Sequence, residues 1–291
     1  MGKETIVLND LLASVLGEGF KVLHRENGGM MNISLVVEDK KGKKYLVYIP
    51  NGKANKAVNR EYEYENSKIM EELNLTSKFV YFDTRLGIKI KEYVEGDSLN
   101  HLNDYDVKKV SELLHCIHDS DKMAPNDYHP LQRLANYENK ALSFKEESNE
   151  YRRLKDFLTI HIKDIINKHK VFSHNDFQKS NILKDLDGNY SVIDFEFCGN
   201  NDEVYDIACF ANDRLEDGEQ LLEAYFNNNV PNSARRRFYL WRIFVSLQWH
   251  TVAITKHYQG EGKNTGINFL AVADHFINIA KQAKAKFEEL F

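Results

Sequence analysis

The first third of the chain alternates short β-prone runs with charged or glycine-bearing turns. Leu8 to Leu16 reads as a short helix, stopped at Gly17. Phe20 to His24 and Ile33 to Glu38 read as strands, and Tyr45-Leu46-Val47-Tyr48-Ile49-Pro50 as a third after the charged turn Lys40 to Lys44. Lys56 to Leu73 changes period, because Val58, Tyr62, Ile69, Met70 and Leu73 recur at helical spacing. Phe79 to Phe82 and Ile88 to Val94 complete a five-stranded antiparallel sheet, and Gly96 ends it. Beyond that point the pattern is helical. Asp104 is expected to cap a helix running to His118, with Val107, Val110, Leu113, Leu114 and Ile117 as its apolar stripe. Leu131 to Lys170, Ile207 to Leu215, Gly218 to Asn227, Ala234 to Gln259 and Ile267 to Leu290 follow as further helical stretches. The expected class is α+β in two lobes: residues 1–95 as a sheet plus a helix, and residues 96–291 as a mainly helical lobe.

One interruption of the helical half carries chemistry. Asn181-Ile182-Leu183 and Tyr190-Ser191-Val192-Ile193 flank Asp187-Gly188, and an Asp-Gly pair between β-prone runs predicts a hairpin. His174, Asp176 and Asn181 then sit on the loop entering the hairpin, and Asp194 where it ends. Phosphoryl transfer asks a protein mainly for positioning and for neutralised charge around the γ-phosphate. It needs a carboxylate facing the acceptor hydroxyl, and oxygen ligands for Mg²⁺, which prefers one or two carboxylates plus phosphate oxygens. Asp176 followed by Asn181 has the kinase catalytic-loop spacing, with four residues between the Asp and its Asn. Asp194, followed by Phe195, takes the place of the metal-binding Asp. A lone His-x-Asp is common in turns; here it coincides with the Asn, the hairpin and the second Asp, in order.

Composition narrows the classes without adding chemistry. With 42% hydrophobic and 29% charged residues, 291 residues suffice for a large core and exclude disorder. A net charge of −5 offers no general attraction for nucleic acid or an anionic membrane. Arg235-Arg236-Arg237 reads as the solvated face of a helix. Cys116, Cys198 and Cys209 form no Cys-x-x-Cys pair and are expected as reduced thiols. No apolar span reaches membrane length and no signal region opens the chain, so a soluble, cytoplasmic protein is expected. His115 and His118 share a helix face, but nothing accompanies them as a third metal ligand.

The central stretch resembles the aminoglycoside phosphotransferase and choline kinase superfamily, with its protein-kinase-like bilobal fold, and within it the bacterial choline/ethanolamine kinases. The resemblance rests on His174-Asn175-Asp176 with Asn181-Ile182-Leu183, on Val192-Ile193-Asp194-Phe195-Glu196-Phe197 and on Tyr205-Asp206-Ile207-Ala208. It implies an ATP- and Mg²⁺-dependent kinase acting on choline or a close amino alcohol. Asp176 would position the hydroxyl, His174 would brace the loop, and Asn181 and Asp194 would hold the metal. Asp206 would cap the following helix and brace the loop. Gly28, Gly29, Met30, Met31 and Asn32 would cover the nucleotide phosphates, and Glu63, with Glu65 as the second match, would be the helix carboxylate that pairs a strand cation. Backbone groups of Glu92 and Val94 would bind adenine.

Two departures from the family pattern stand out. Relatives carry Lys or Arg where the third strand has Tyr48, so Lys53 or Arg60 is expected to supply the missing charge. The acceptor cage implied by Trp249, Tyr205, Glu196 and Asp213 is also thinned, because Val252 stands where relatives have a second Trp. Ethanolamine, an aminoglycoside or a related alcohol therefore remain open as acceptors, as does an inactive nucleotide-binding homologue.

Overall fold

The computed structural model describes residues 3–26, 32–50, 58–166 and 168–291. In chain order its principal elements are α1 (Lys3–Leu16), β1 (Lys21–Arg25), β2 (Asn32–Glu38), β3 (Lys44–Pro50), α2 (Arg60–Glu72), β4 (Phe79–Phe82), β5 (Lys89–Glu92) and β6 (Gly96–Ser98). There follow α3 (Val107–His118), α4 (Pro130–Leu142), α5 (Asn149–Ile160), β7 (Val171–Ser173), β8 (Ile182–Asp185), β9 (Tyr190–Val192) and β10 (Gly199–Asn201). The chain closes with α6 (Glu203–Phe210), α7 (Leu215–Tyr225), α8 (Asn232–Tyr258), α9 (Gly262–Thr265) and α10 (Phe269–Leu290). Two compact units result: Met1–Ser98 with Leu183–Phe197, and Leu99–Ile182 with Cys198–Phe291.

The first unit is built on the expected five-stranded sheet, in the order β1-β2-β3-β5-β4. Alternation along its strands sorts two faces. Val37, Val47 and Ile90 bury against Leu12 of α1, with Leu8, Val15 and Leu16 packed beside them. Neighbouring positions, Tyr48 on β3 and Lys89 and Lys91 on β5, point to the opposite face. The predicted hairpin is present as β8 and β9, closed by Leu186-Asp187-Gly188 with Gly188 at φ 80°. β8 also pairs with β6, and the Val192 amide donates to the Leu75 carbonyl at 2.8 Å, so the hairpin is knitted into this unit.

The second unit is helical. α8 is buried on nearly every side from Phe238 to Gln248, as expected of a helix apolar all round. α10, α6 and α4 pack against it. Trp241, in its middle, donates Nε1–H to Asp202 at 2.9 Å and is a core residue. Two helices start elsewhere than the sequence suggests. Asp106, not Asp104, caps α3, accepting from the Lys108 amide, because the helix begins two residues later, at Val107. α2 starts at Arg60, where the Asn59 side chain accepts from the Glu61 and Tyr62 amides.

Lys91 is a buried cation in this sheet. Its Nζ donates to Thr76 Oγ1 at 3.0 Å and lies 5.6 Å from the centre of the Phe79 ring. Burial, and then the charge of Lys89, pull its pKa from 10.5 down to about 7. The unfolded chain therefore binds the proton more tightly, and this group's contribution to stability rises with pH between 7 and 10.5. Lys91→Met is expected to raise the unfolding free energy at pH 7 by about 1–3 kcal/mol. The gain should shrink as pH rises, which urea unfolding across that range will measure.

Candidate active site

In the second unit the loop from His174 to Asn181 leaves β7, which pairs antiparallel with β10. One carboxylate fixes its start. Asp206 of α6, fully buried, accepts from the backbone amides of His174 (2.8 Å) and Asn175 (2.6 Å), and His118 Nε2 lies 3.1 Å from the same group. Asp206 is thus the expected brace. It is not the helix cap, which is Asp202, accepting from the Val204 amide at 3.1 Å. Asn175 holds φ 63°, a left-handed conformation that Asn tolerates better than most residues. Its side chain donates to the carbonyls of Ser173 and Gly199 and accepts from Asn201. The buried His174 ring packs edge-on to Phe177. His118 and His115 are spent on this packing, His118 Nδ1 meeting the Tyr225 hydroxyl at 3.0 Å.

Asp176 and Asn181 come together. Asn181 Nδ2 donates to the Asp176 carboxylate and to its carbonyl, both at 2.9 Å, which leaves Asn181 Oδ1 as its remaining acceptor. Gln178 Nε2 reaches both carboxylate oxygens of Asp176 at 3.2 Å. Gln178 is held in turn: its Oε1 accepts from Asn212 Nδ2 at 3.0 Å, and Asn212 Oδ1 accepts from the buried Arg242 at 2.8 Å. Lys179 anchors the loop through Asp217 at 2.6 Å. Gln178, Asn212 and Arg242 escaped the sequence reading, because a relay across three elements has no local spacing.

In the first unit Asp194 follows β9 at φ 68°, a conformation that non-glycine residues reach mainly where surrounding structure imposes it. Phe195 packs edge-on against Phe79, which fixes the segment. Burial, then the charges of Asp194 and Glu63, push the Glu196 carboxyl up to about 8. Its Oε2 is buried without a hydrogen-bond partner. This excess of carboxylate oxygens suits a hard divalent cation. Among the described residues, no three His, Cys, Asp or Glu side chains form a ready-made metal cage. Mg²⁺ held chiefly through phosphate oxygens requires none. Glu63, 2% exposed, is paired by Arg60 Nη1 at 2.5 Å and by Lys89. Burial alone would raise its carboxyl; Lys89 and then Arg60 reverse that and hold it below the usual range. Burial, then Asp194 and Glu63, push the Tyr48 hydroxyl well above its ordinary value, so it is a neutral phenol.

The expected nucleotide and acceptor residues fare unequally. Gly28, Gly29, Met30, Met31 and Lys53 lie outside the described residues; Asn32 opens β2. The Glu92 amide is already donated to the Lys78 carbonyl, and its own carbonyl accepts from Ser77, so Glu92 has no N–H to offer a base. Val94 follows β5, half-buried. Tyr205 is no cage residue. It is completely buried among Tyr128, Trp241 and Phe244, its hydroxyl 3.2 Å from that of Tyr128, and has no face for a ligand. Asp213 is exposed and lines a cavity of about 410 Å³ with Gln178, Asn212, His275 and Phe276. Half-buried Trp249 stacks on Phe276, centres 6.2 Å apart.

A family model described as choline/ethanolamine kinase matches residues 23–239. The chain belongs to that family. Protein LicA of Haemophilus influenzae is 26% identical over 269 residues, covering 84% of this chain and 78% of LicA. The crystal structure of choline kinase LicA from Streptococcus pneumoniae matches with a TM-score of 0.75 at 22% identity, over 99% of this chain and 100% of that one. A crystal structure of LicA in complex with AMP matches with a TM-score of 0.72 at 22% identity, over 100% of both. The fold is therefore the protein-kinase-like α+β fold, and this family member is a choline-kinase-like, small-molecule phosphotransferase.

Gln178→Leu removes the Gln178 hydrogen bonds to the Asp176 carboxylate and leaves that of Asn181. It is expected to lower kcat roughly 10- to 100-fold, with Tm and the KM for nucleotide near wild type. Steady-state kinetics will measure this; an unchanged kcat would show that Asp176 needs no such hold.

Proposed function

We propose that this chain transfers the γ-phosphoryl group of ATP to the hydroxyl of choline or a close amino alcohol. The observation that carries the reading is in the second unit. The Asp176 carboxylate is oriented by Asn181 and by Gln178, and Gln178 also borders the cavity that Asp213 and Phe276 line. A carboxylate held by a residue that lines such a cavity can orient an alcohol and accept its proton as the bond to phosphorus forms. A quaternary ammonium cannot donate hydrogen bonds, so it is held by aromatic faces and nearby negative charge. Phe276 backed by Trp249 supplies the first, and Asp213 the second.

Mg²⁺ is the proposed metal, with Asn181 and Asp194 each as a ligand. When bound it would neutralise phosphate charge as the phosphoryl group moves. His174 holds the loop and does not take part in proton transfer, since its ring is buried against Phe177. Glu196 is assigned to the Asp194 and Glu63 neighbourhood in place of the acceptor cage. The reaction is assigned to the cytoplasm, where ATP is available and thiols such as Cys198 and Cys209, neither in a disulfide, stay reduced. No helix among the described residues is long and apolar enough to cross a membrane.

Ethanolamine is the second reading, favoured by the loss of Tyr205 from the cage, since a primary ammonium needs fewer aromatic walls and more acceptors. A panel of choline, ethanolamine and an aminoglycoside, with coupled detection of ADP, decides between them. Choline is expected to give the highest kcat/KM, and Asp176→Ala to lower kcat by roughly 10²- to 10⁴-fold. ADP release that no acceptor stimulates, or that survives Asp176→Ala, would overturn the proposal. Trp249→Ala is expected to raise the KM for the amino alcohol far more than that for ATP; equal effects would remove Trp249 from the pocket.

A further inference from the structure

In protein kinases a Lys on the third strand bridges the helix carboxylate and the α- and β-phosphates of ATP. Here that strand offers Tyr48, a neutral phenol. The helix carboxylate, Glu63, is nonetheless buried and paired, and one of its two cations comes from the neighbouring strand.

β3 and β5 are antiparallel, and Tyr48 and Lys89 are direct partners in their register. Directly opposed residues point to the same face, with Cβ atoms about 5 Å apart. Lys89 therefore stands one lane away from the missing cation, on the same side of the sheet. Its four-carbon stem is long enough to cross that lane. The Nζ lies 5.0 Å from the centre of the Tyr48 ring and ion-pairs with Glu63 Oε1. Lys89 is 5% exposed, so this is a fixed cation and not a mobile surface side chain.

We propose that Lys89 on β5 takes the part of the absent β3 cation, bridging Glu63 and the phosphates of the bound nucleotide, while Tyr48 serves as the aromatic platform beneath its ammonium. An ammonium has three donors, so pairing with Glu63 leaves capacity for phosphate oxygens. The phenol replaces a charge with a cation–π surface and leaves the ammonium the strong donor in that lane. Arg60 has a different part. It lies three residues before Glu63 on the same helix and holds the second carboxylate oxygen, Oε2, from the helix side. The inference rests on the kinase reading above and names the cation that reading lacks.

The test is the affinity of the full-length chain for ADP against adenosine, by titration calorimetry. Lys89→Met is expected to weaken ADP roughly 10- to 100-fold and adenosine less than about twofold, because only the phosphates would feel the change. Arg60→Met should alter the two ligands alike. Tyr48→Lys combined with Lys89→Met puts an ammonium back on β3 and should restore most of the ADP affinity. Should Lys89→Met fail to fold, the double variant and Lys89→Arg carry the test, both expected to keep the preference for ADP over adenosine. Equal losses for both ligands, no loss for either, or a phosphate-selective loss in Arg60→Met would overturn the assignment. A wild-type chain that binds ADP while Lys89→Met binds it as well overturns this assignment alone. A wild-type chain that binds neither ligand overturns the kinase reading too.

Discussion

The buried carboxylate of Asp206 is the constraint on which the second unit depends. A carboxylate taken out of water costs several kcal/mol unless its oxygens are satisfied. Here the His174 and Asn175 amides and the His118 ring satisfy them, so the cost of burial is offset only when the loop adopts one shape. That shape holds Asn175 in the left-handed region, immediately before Asp176. Asn181 and Gln178 then fix the carboxylate. The result is a carboxylate oriented before any ligand arrives, and such preorganised groups need no reorganisation when they act.

A second buried carboxylate plays the matching part in the first unit. Glu63 would be untenable on the sheet-facing side of α2 without cations, and it has Arg60 and Lys89. The two units thus share a device. Each buries one acidic side chain and uses its need for partners to fix the segments around it. The left-handed Asp194 and the unpaired Glu196 Oε2 are the other costs borne by the first unit, and positive charge near the Glu196 carboxylate would relieve the second.

Some of this was legible before any coordinates. The sheet could be read because short β-prone runs lie between clear turn signals, and Gly188 closes the hairpin where Asp187-Gly188 predicts it. The pairing of Asp176 with Asn181 could be read because both lie on one short loop. Tyr205 misled, since a residue inside a motif is as readily part of the core as of the site, and only burial separates the two. Asp104 misled because Asp106, two residues on, is an equally good cap and the sequence does not say where the first turn closes. Lys89 was invisible as a site residue. In Ile88-Lys89-Ile90-Lys91 it looks like the solvent side of an edge strand, and only strand order brings it beside Tyr48. Lys53 and the glycine loop at 28–31 lie outside the described residues.

Turnover of Asp206→Asn tests the central constraint most directly. The substitution keeps the shape but sets an amide donor against the amides of His174 and Asn175. Phosphoryl transfer to the preferred acceptor should fall by roughly 100-fold or more in a chain that still unfolds cooperatively and still binds ADP. A folded Asp206→Asn chain with wild-type kcat would contradict the view that this carboxylate sets the geometry of Asp176.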